Sequence, residues 1–173
     1  MSNNIIFTGM PKSGKSTMLE KVVNRIVNKR GFLTKEVLDN GGKRMGFEIV
    51  CNDGYKQMLA SVNFNSDYRV SKYGVDVWNF DLLMVNFYKF MSNQFLYIDE
   101  IGEMELFSPR FRRLAEIYLD AHNPFISTMT AVYNDKFVDE IRRRDDIILT
   151  EINSENWAEK YREVSELIKS FNR

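Results

Sequence analysis

Near the start of the chain, Gly9-Met10-Pro11-Lys12-Ser13-Gly14-Lys15-Ser16 follows the spacing G-x-x-x-x-G-K-[ST] without a gap. Each residue type in it suits the binding of a polyphosphate. Gly9 and Gly14 lack a β-carbon, so the backbone can fold tightly and turn successive N–H groups onto phosphate oxygens. A helix starting at the loop would add its own unpaired N–H groups and their partial positive charge. Lys15 brings a mobile cation that can reach β- and γ-phosphates, and the Ser16 hydroxyl is a hard oxygen ligand for Mg²⁺. A plain glycine turn with a surface lysine would show the same letters, but not the strand before them and the helix after them.

The second group is Asp99-Glu100, at the end of the apolar run Phe95-Leu96-Tyr97-Ile98. An aspartate closing a buried strand is costly unless its charge is compensated. A metal shared with Ser16 would compensate it, and Glu100, one residue on, can orient or deprotonate a water facing the γ-phosphate. Alone, an apolar run followed by Asp-Glu is weak. Together with the loop it completes one constellation.

The elements that must position these groups can be read from the same sequence. Ile5 to Phe7 reads as a buried strand, and Thr17 to Lys29 as a helix with Met18, Leu19, Val22, Val23, Ile26 and Val27 on one stripe and Gly31 as its cap. Phe32 to Leu38, Arg44 to Cys51 and Tyr55 to Val62 are separated by turn-rich Asp39-Asn40-Gly41-Gly42 and Asn52-Asp53-Gly54, the pattern of an antiparallel meander. Tyr68 to Val77 is less regular, a short strand and a turn. Trp78 to Met91 reads as a helix covered on most sides, its aromatic residues a core or a base-stacking platform. Phe95 to Ile98 suits a central parallel strand, and Ser108-Pro109 opens a helix reaching about Ala121. A strand from Pro124 to Thr128, a helix near Asp135 to Arg143, a strand from Asp146 to Glu151 and a helix from Glu155 to Phe171 complete the alternation.

Composition sets the limits. A chain of 173 residues is most simply one domain. Lysine plus arginine and aspartate plus glutamate number 24 each, so no net charge draws the protein to nucleic acid or to an acidic membrane. The single cysteine, Cys51, reads as a packed thiol, and with no signal-like leader a cytoplasmic location is expected. No apolar run is long enough to span a membrane, since Phe80 to Met91 is broken by Asp81, Asn86 and Lys89. His122, the only histidine, reads as a helix-end residue and not a catalytic one. Arg142-Arg143-Arg144 reads as a solvated run or an arginine finger.

Beyond these motifs, the chain resembles the small nucleoside-triphosphatases of thermophilic prokaryotes, which have a cancer-related human relative. Gly31 to Val37 is similar to that family's G-F-x-T-x-E segment, Lys43 to Ile49 to its R-x-G-F segment, and Ile98-Asp99-Glu100-Ile101-Gly102-Glu103-Met104-Glu105-Leu106 to its D-E-I-G-x-M-E-L segment. The resemblance runs from about Ile5 to Asn156. It implies an α/β, three-layer, RecA-like P-loop NTPase fold, with a mainly parallel sheet extended by an antiparallel meander. It also implies slow, Mg²⁺-dependent hydrolysis of several nucleoside triphosphates to diphosphate and phosphate. Separately, the protein is expected to be a monomer. Carried over by position, Gly9 to Thr17 hold the phosphates, Asp99 belongs to the metal shell, Glu100 serves the water, and Ile101, Gly102 and Glu103 border the nucleotide. The chain departs from the family in three places. Met10-Pro11-Lys12-Ser13 stands where relatives often carry another glycine, Ser71 replaces a usual glycine, and Trp157-Ala158 replaces arginine and aspartate in an E-N-R-D segment.

Three functions fit the sequence: a nucleoside-triphosphatase, a nucleoside or nucleotide kinase with an acceptor pocket made by the meander or the arginine run, and a nucleotide-gated interaction module using Trp78 to Phe90. No guanine-reading Asn-Lys-x-Asp segment occurs, so broad base use is expected.

Overall fold

In a computed structural model, which describes residues 4–171, nine strands form one sheet. The chain runs Asn4–Thr8 (β1), Lys15–Val23 (α1), Lys29–Leu38 (β2), Arg44–Cys51 (β3), Lys56–Ser61 (β4), Arg69–Val70 (β5), Tyr73–Val75 (β6) and Val77–Met84 (α2). It continues through Phe95–Ile101 (β7), Pro109–Asp120 (α3), Phe125–Met129 (β8), Lys136–Arg142 (α4), Ile147–Glu151 (β9) and Trp157–Phe171 (α5). The sheet order is β5-β6-β4-β3-β2-β7-β8-β1-β9. From β2 to β9 the neighbours are parallel, and from β2 outward to β5 they are antiparallel. This is the α/β architecture expected from the sequence, a parallel core with the meander added at one edge.

Strand alternation divides the core into two layers. Ile6, Phe32, Leu96, Ile98 and Phe125 point to one face, where they meet Phe80, Phe87, Phe111, Tyr118 and Val138 from α2, α3, α4 and the turn after α2. Their neighbours Ile5, Phe7, Leu33, Phe95, Tyr97 and Ile126 point to the other face and pack on Met18, Leu19, Val22, Val164 and Ile168 of α1 and α5. Phe32 lies at the centre of an aromatic cluster, with Phe87 and Phe111 ring centroids 5.4 and 6.3 Å away. Helices on both faces make the three layers.

Three segments differ from expectation. Tyr68 to Val77, read as one short strand and a turn, holds the β5–β6 hairpin and the first residue of α2. α1 stops at Val23, not Lys29, so Val27 lies beyond the helix, exposed and off the buried stripe, and Gly31 is no helix cap. Lys29 to Phe32 instead pair in parallel with Phe95 to Ile98, and the hydrogen bonds and burial of that pairing outweigh local helix preference. A β-carbon on Gly31 would come 1.9 Å from the Tyr97 carbonyl oxygen, so the glycine permits the close approach of β2 to β7. The helix predicted over Trp78 to Met91 ends at Met84 and tightens into a 3₁₀ turn, Val85–Phe87, which swings Phe87 inward. Phe80 and Phe87 are core residues, which removes most of the proposed aromatic partner surface, while Trp78 remains 75% exposed. Cys51 is buried, and burial pushes its thiol up to about 11, the state of an inert packed cysteine. No helix among the described residues is long and apolar enough to cross a membrane.

Candidate functional site

The phosphate loop leaves β1 and enters α1, and its backbone shows why its residues are what they are. A β-carbon on Gly9 would lie 2.4 Å from the Ile152 carbonyl oxygen. The Ser13 N–H donates to the Met10 carbonyl over 3.1 Å, closing a four-residue turn around Pro11 and Lys12. Lys12 has φ 65°, the positive value that a type II turn requires at its third position, and the ring of Pro11 presets the second. The loop thus reaches this bend without a further glycine. Gly14 (φ 90°) is the N-cap of α1 and supplies no side-chain cap, which leaves the first N–H groups of the helix for a ligand.

β7 carries Asp99 and Glu100 to the same place. Parallel β8 lies between β1 and β7, so the loop and the carboxylates come from strands two places apart, and the inserted strand contributes as well. Asp99 is 2% exposed. Its Oδ1 accepts from the Ser16 hydroxyl at 2.8 Å and from Thr128 of β8 at 2.5 Å, and its carbonyl accepts from the Thr34 hydroxyl of β2. Burial pushes the Asp99 carboxyl up from the ordinary range, while these hydroxyls and Lys15 pull it back. Lys15 Nζ stands 3.7 Å from Glu100 Oε2. Burial raises the Glu100 carboxyl too, with the Lys15 cation opposing the shift and Asp99 adding to it.

A third carboxylate, to which the sequence assigned no role, completes the group. Glu105, in the 3₁₀ turn Glu105–Phe107, is 3% exposed and lies with Oε1 3.5 Å from the Thr34 hydroxyl. Burial, reinforced by Glu100 and then Asp99, holds its carboxyl well above the ordinary carboxylate range. Gly102 makes room for both glutamates. A β-carbon there would sit 2.7 Å from Glu100 Oε1 and 3.0 Å from Glu105 Oε2. The available signal was a glutamate between Met104 and Leu106 immediately after the Asp-Glu strand.

All of this opens into a cleft of about 630 Å³. Of the residues expected at the nucleotide, the cleft collects Gly9, Pro11, Lys12, Ser13, Gly14, Lys15, Ser16, Thr17 and Glu103, with Asp99 and Glu100. It does not collect Met10, Ile101 or Gly102. Met10 points outward, 61% exposed, and Gly102 is covered. The Ile101 side chain is fully buried in the core, and its carbonyl accepts from the Thr130 N–H at 3.1 Å. The opposite wall comes from the meander, with Leu33, Thr34, Lys35, Glu36, Arg44 and Phe47, and from Val70. The arginine run lies outside it. Arg142 pairs with Asp139 and donates to the Thr130 carbonyl behind the wall, and Arg144 is tied to Asp120 at 2.9 Å and Asp146 at 2.6 Å. Trp157 is absent from the lining as well; its indole lies behind the loop at Gly14. His122 is exposed just beyond α3.

The described residues hold no group of three or more histidine, cysteine, aspartate or glutamate side chains suited to a metal ion. Two oxygen donors from the protein, Ser16 and Asp99, still fit Mg²⁺, which commonly takes one or two protein oxygens and completes its shell with water and substrate phosphates.

Fold and cleft together define a phosphate-loop nucleotide-binding protein of the RecA-like class, with the Glu100 carboxylate beside the loop lysine. The chain belongs to the NTPase family, whose sequence profile matches residues 4–165. It is 35% identical over 171 residues to the nucleoside-triphosphatase THEP1 of Thermotoga maritima, covering 98% of this chain and 97% of the relative. It is 30% identical over 174 residues to the human cancer-related nucleoside-triphosphatase, covering 90% and 91%. The crystal structure of THEP1 from Aquifex aeolicus superimposes with a TM-score of 0.85 at 33% identity, covering 98% of this chain and 99% of that one.

Proposed function

We propose that the chain is a Mg²⁺-dependent nucleoside-triphosphatase that converts ATP, GTP and other nucleoside triphosphates to diphosphate and phosphate, with residues 1–173 forming one domain. The observation that carries this reading is the meeting of Lys15 and Glu100 at 3.7 Å in a cleft floored by the loop and the Ser16–Asp99 pair. The loop N–H groups hold the β- and γ-phosphates, and the Lys15 ammonium offsets the charge that develops on the γ-phosphoryl oxygens. When bound, Mg²⁺ supplies further neutralisation of the phosphate oxygens. Ser16 and Asp99 would hold it, with Thr128 and Thr34 keeping Asp99 in place. Glu100 orients the water that attacks the γ-phosphorus and takes its proton as the bond to the β-phosphate oxygen breaks. A carboxyl raised by burial is a better proton acceptor than an exposed one. Leu33, Phe47, Val70 and Met104 give the cleft apolar faces on which any base can pack, beside the polar side chains of Thr34, Lys35, Glu36 and Arg44.

One observation favours a kinase as the second reading: the meander lines the same cleft as the loop, so that wall has the position an acceptor would need. A single experiment separates the two. Phosphate release from γ-labelled ATP, GTP, CTP and UTP is followed with and without Mg²⁺ and with candidate nucleosides and nucleotides present. Hydrolysis predicts label as free phosphate at similar rates for all four and loss of activity without Mg²⁺. Label on an added acceptor overturns hydrolysis as the main reaction.

A further inference from the structure

α5 begins directly behind the phosphate loop. The Trp157 indole N–H donates to the Gly14 carbonyl over 3.0 Å, across 143 residues of sequence. The seat is tight: a β-carbon on Gly14 would meet the indole at 2.9 Å. Trp157 and Tyr161, one helical turn apart, stack with centroids 5.3 Å apart and planes at 15°. α1 answers with Lys21 over Trp157 at 5.2 Å and Arg25 over Tyr161 at 5.3 Å, two cation–π contacts in register at the same four-residue spacing. The segment leading into α5 is itself fixed, with Asn153 Oδ1 accepting from the Glu155 and Asn156 N–H groups and the Asn156 side chain donating to the Glu151 carbonyl.

The Gly14 carbonyl and the Lys15 N–H belong to one planar peptide group and point in opposite directions. A carbonyl tied down toward Trp157 and toward the Met18 N–H, 2.9 Å away, therefore directs the Lys15 N–H into the cleft. We propose that Trp157 is a positioning residue for phosphate binding, which fixes the Gly14–Lys15 peptide plane so that the Lys15 N–H meets a phosphate oxygen. The inference rests on the loop's being the triphosphate site. Because the N–H grips phosphate in the ground state and the transition state alike, its loss acts on KM and not on kcat. Because it meets phosphate and not base, the loss is the same for every nucleotide.

The test is Trp157→Phe, which keeps an aromatic ring on Tyr161 and removes the donor. Steady-state hydrolysis of ATP, GTP, CTP and UTP is measured with inorganic triphosphate as a competitive inhibitor, alongside a melting curve. The expected result is a KM raised about fivefold for all four nucleotides, an inhibition constant for inorganic triphosphate raised by the same factor, and an unchanged kcat. An unchanged inhibition constant, or a KM that changes for some bases only, overturns the role. Wild-type protein that binds neither ATP nor inorganic triphosphate overturns the phosphate-site reading first, and this one with it. Should Trp157→Phe fail to fold, Trp78→Phe decides, since Trp157 is then the sole tryptophan of the two. Its emission must shift as inorganic triphosphate is titrated, and a flat titration overturns the proposal.

Discussion

The Ser16 hydroxyl donates to Asp99 Oδ1 over 2.8 Å, although 83 residues separate them. Ser16 belongs to the first turn of α1 and Asp99 to the end of β7, and the hydrogen bond joins the two oxygens that would hold Mg²⁺. The hydroxyl gives the buried carboxylate a partner in the ligand-free protein, and a metal taking both oxygens must displace that bond. Asp99→Asn keeps an acceptor for Ser16 and Thr128 but removes the charge. Its expected effect is a loss of about a hundredfold in kcat/KM and a higher Mg²⁺ concentration at half-maximal rate. Titrating Mg²⁺ against phosphate release checks this, and a wild-type Mg²⁺ dependence in the variant would remove Asp99 from the metal shell.

In the proposed reaction Lys15 and Glu100 have different functions despite their ion pair. Lys15→Ala is expected to lose about 3 kcal/mol of transition-state stabilisation, roughly a hundredfold in rate. Glu100→Gln keeps the shape and loses the base, so nucleotide binding is retained while turnover falls. Equilibrium binding beside single-turnover hydrolysis separates the two. Wild-type turnover in Glu100→Gln would assign the water to another group.

How much of this was legible in the sequence depended on whether the deciding contacts are local. The loop, the Ser108-Pro109 helix start and the Asp-Glu strand end are local patterns, and each appears where its residues place it. Ser108 accepts from the Phe111 N–H at 3.0 Å, the N-cap that the pair predicts. The end of α1 was not legible, because Lys29 to Phe32 leave the helical pattern to pair with residues 95 to 98, far along the chain. Glu105 passed without a role for the same reason: its burial depends on Thr34 and Gly102, and a glutamate read by itself is a surface residue. The replacement at Trp157 was visible, but its reach to Gly14 was not.

Ser71 provides a stability test. It lies in the two-residue connection of the β5–β6 hairpin with φ 54°, a left-handed conformation that costs an L-residue about 1–2 kcal/mol. Glycine removes that strain at an entropic cost of about 0.5–1 kcal/mol. Ser71→Gly is therefore expected to stabilise the protein by about 0.5 kcal/mol with phosphate release unchanged. The denaturant midpoint is the measurement, and a lower midpoint would show that the Ser71 side chain contributes more than its backbone costs.

Glu105 predicts how stability depends on pH. Burial, with Glu100 and Asp99 facing it across Gly102 and Thr34, raises its carboxyl well above the ordinary range in the ligand-free protein. The folded state then keeps a proton that the unfolded chain has already released. Stability must fall as pH rises from the ordinary carboxylate pKa to the raised one, and below that window the term is fully favourable. Asp99 and Glu100 are shifted the same way, so the ligand-free protein should melt at higher temperature in mild acid than at neutral pH. Glu105→Gln removes the largest of the three contributions. It should match the wild type in acid and exceed it by about 1–2 kcal/mol once the pH has passed through the window. Parallel melting curves for the two proteins across that range would mean that Glu105 is ionised in the fold, held by charge compensation that Lys15 would have to supply.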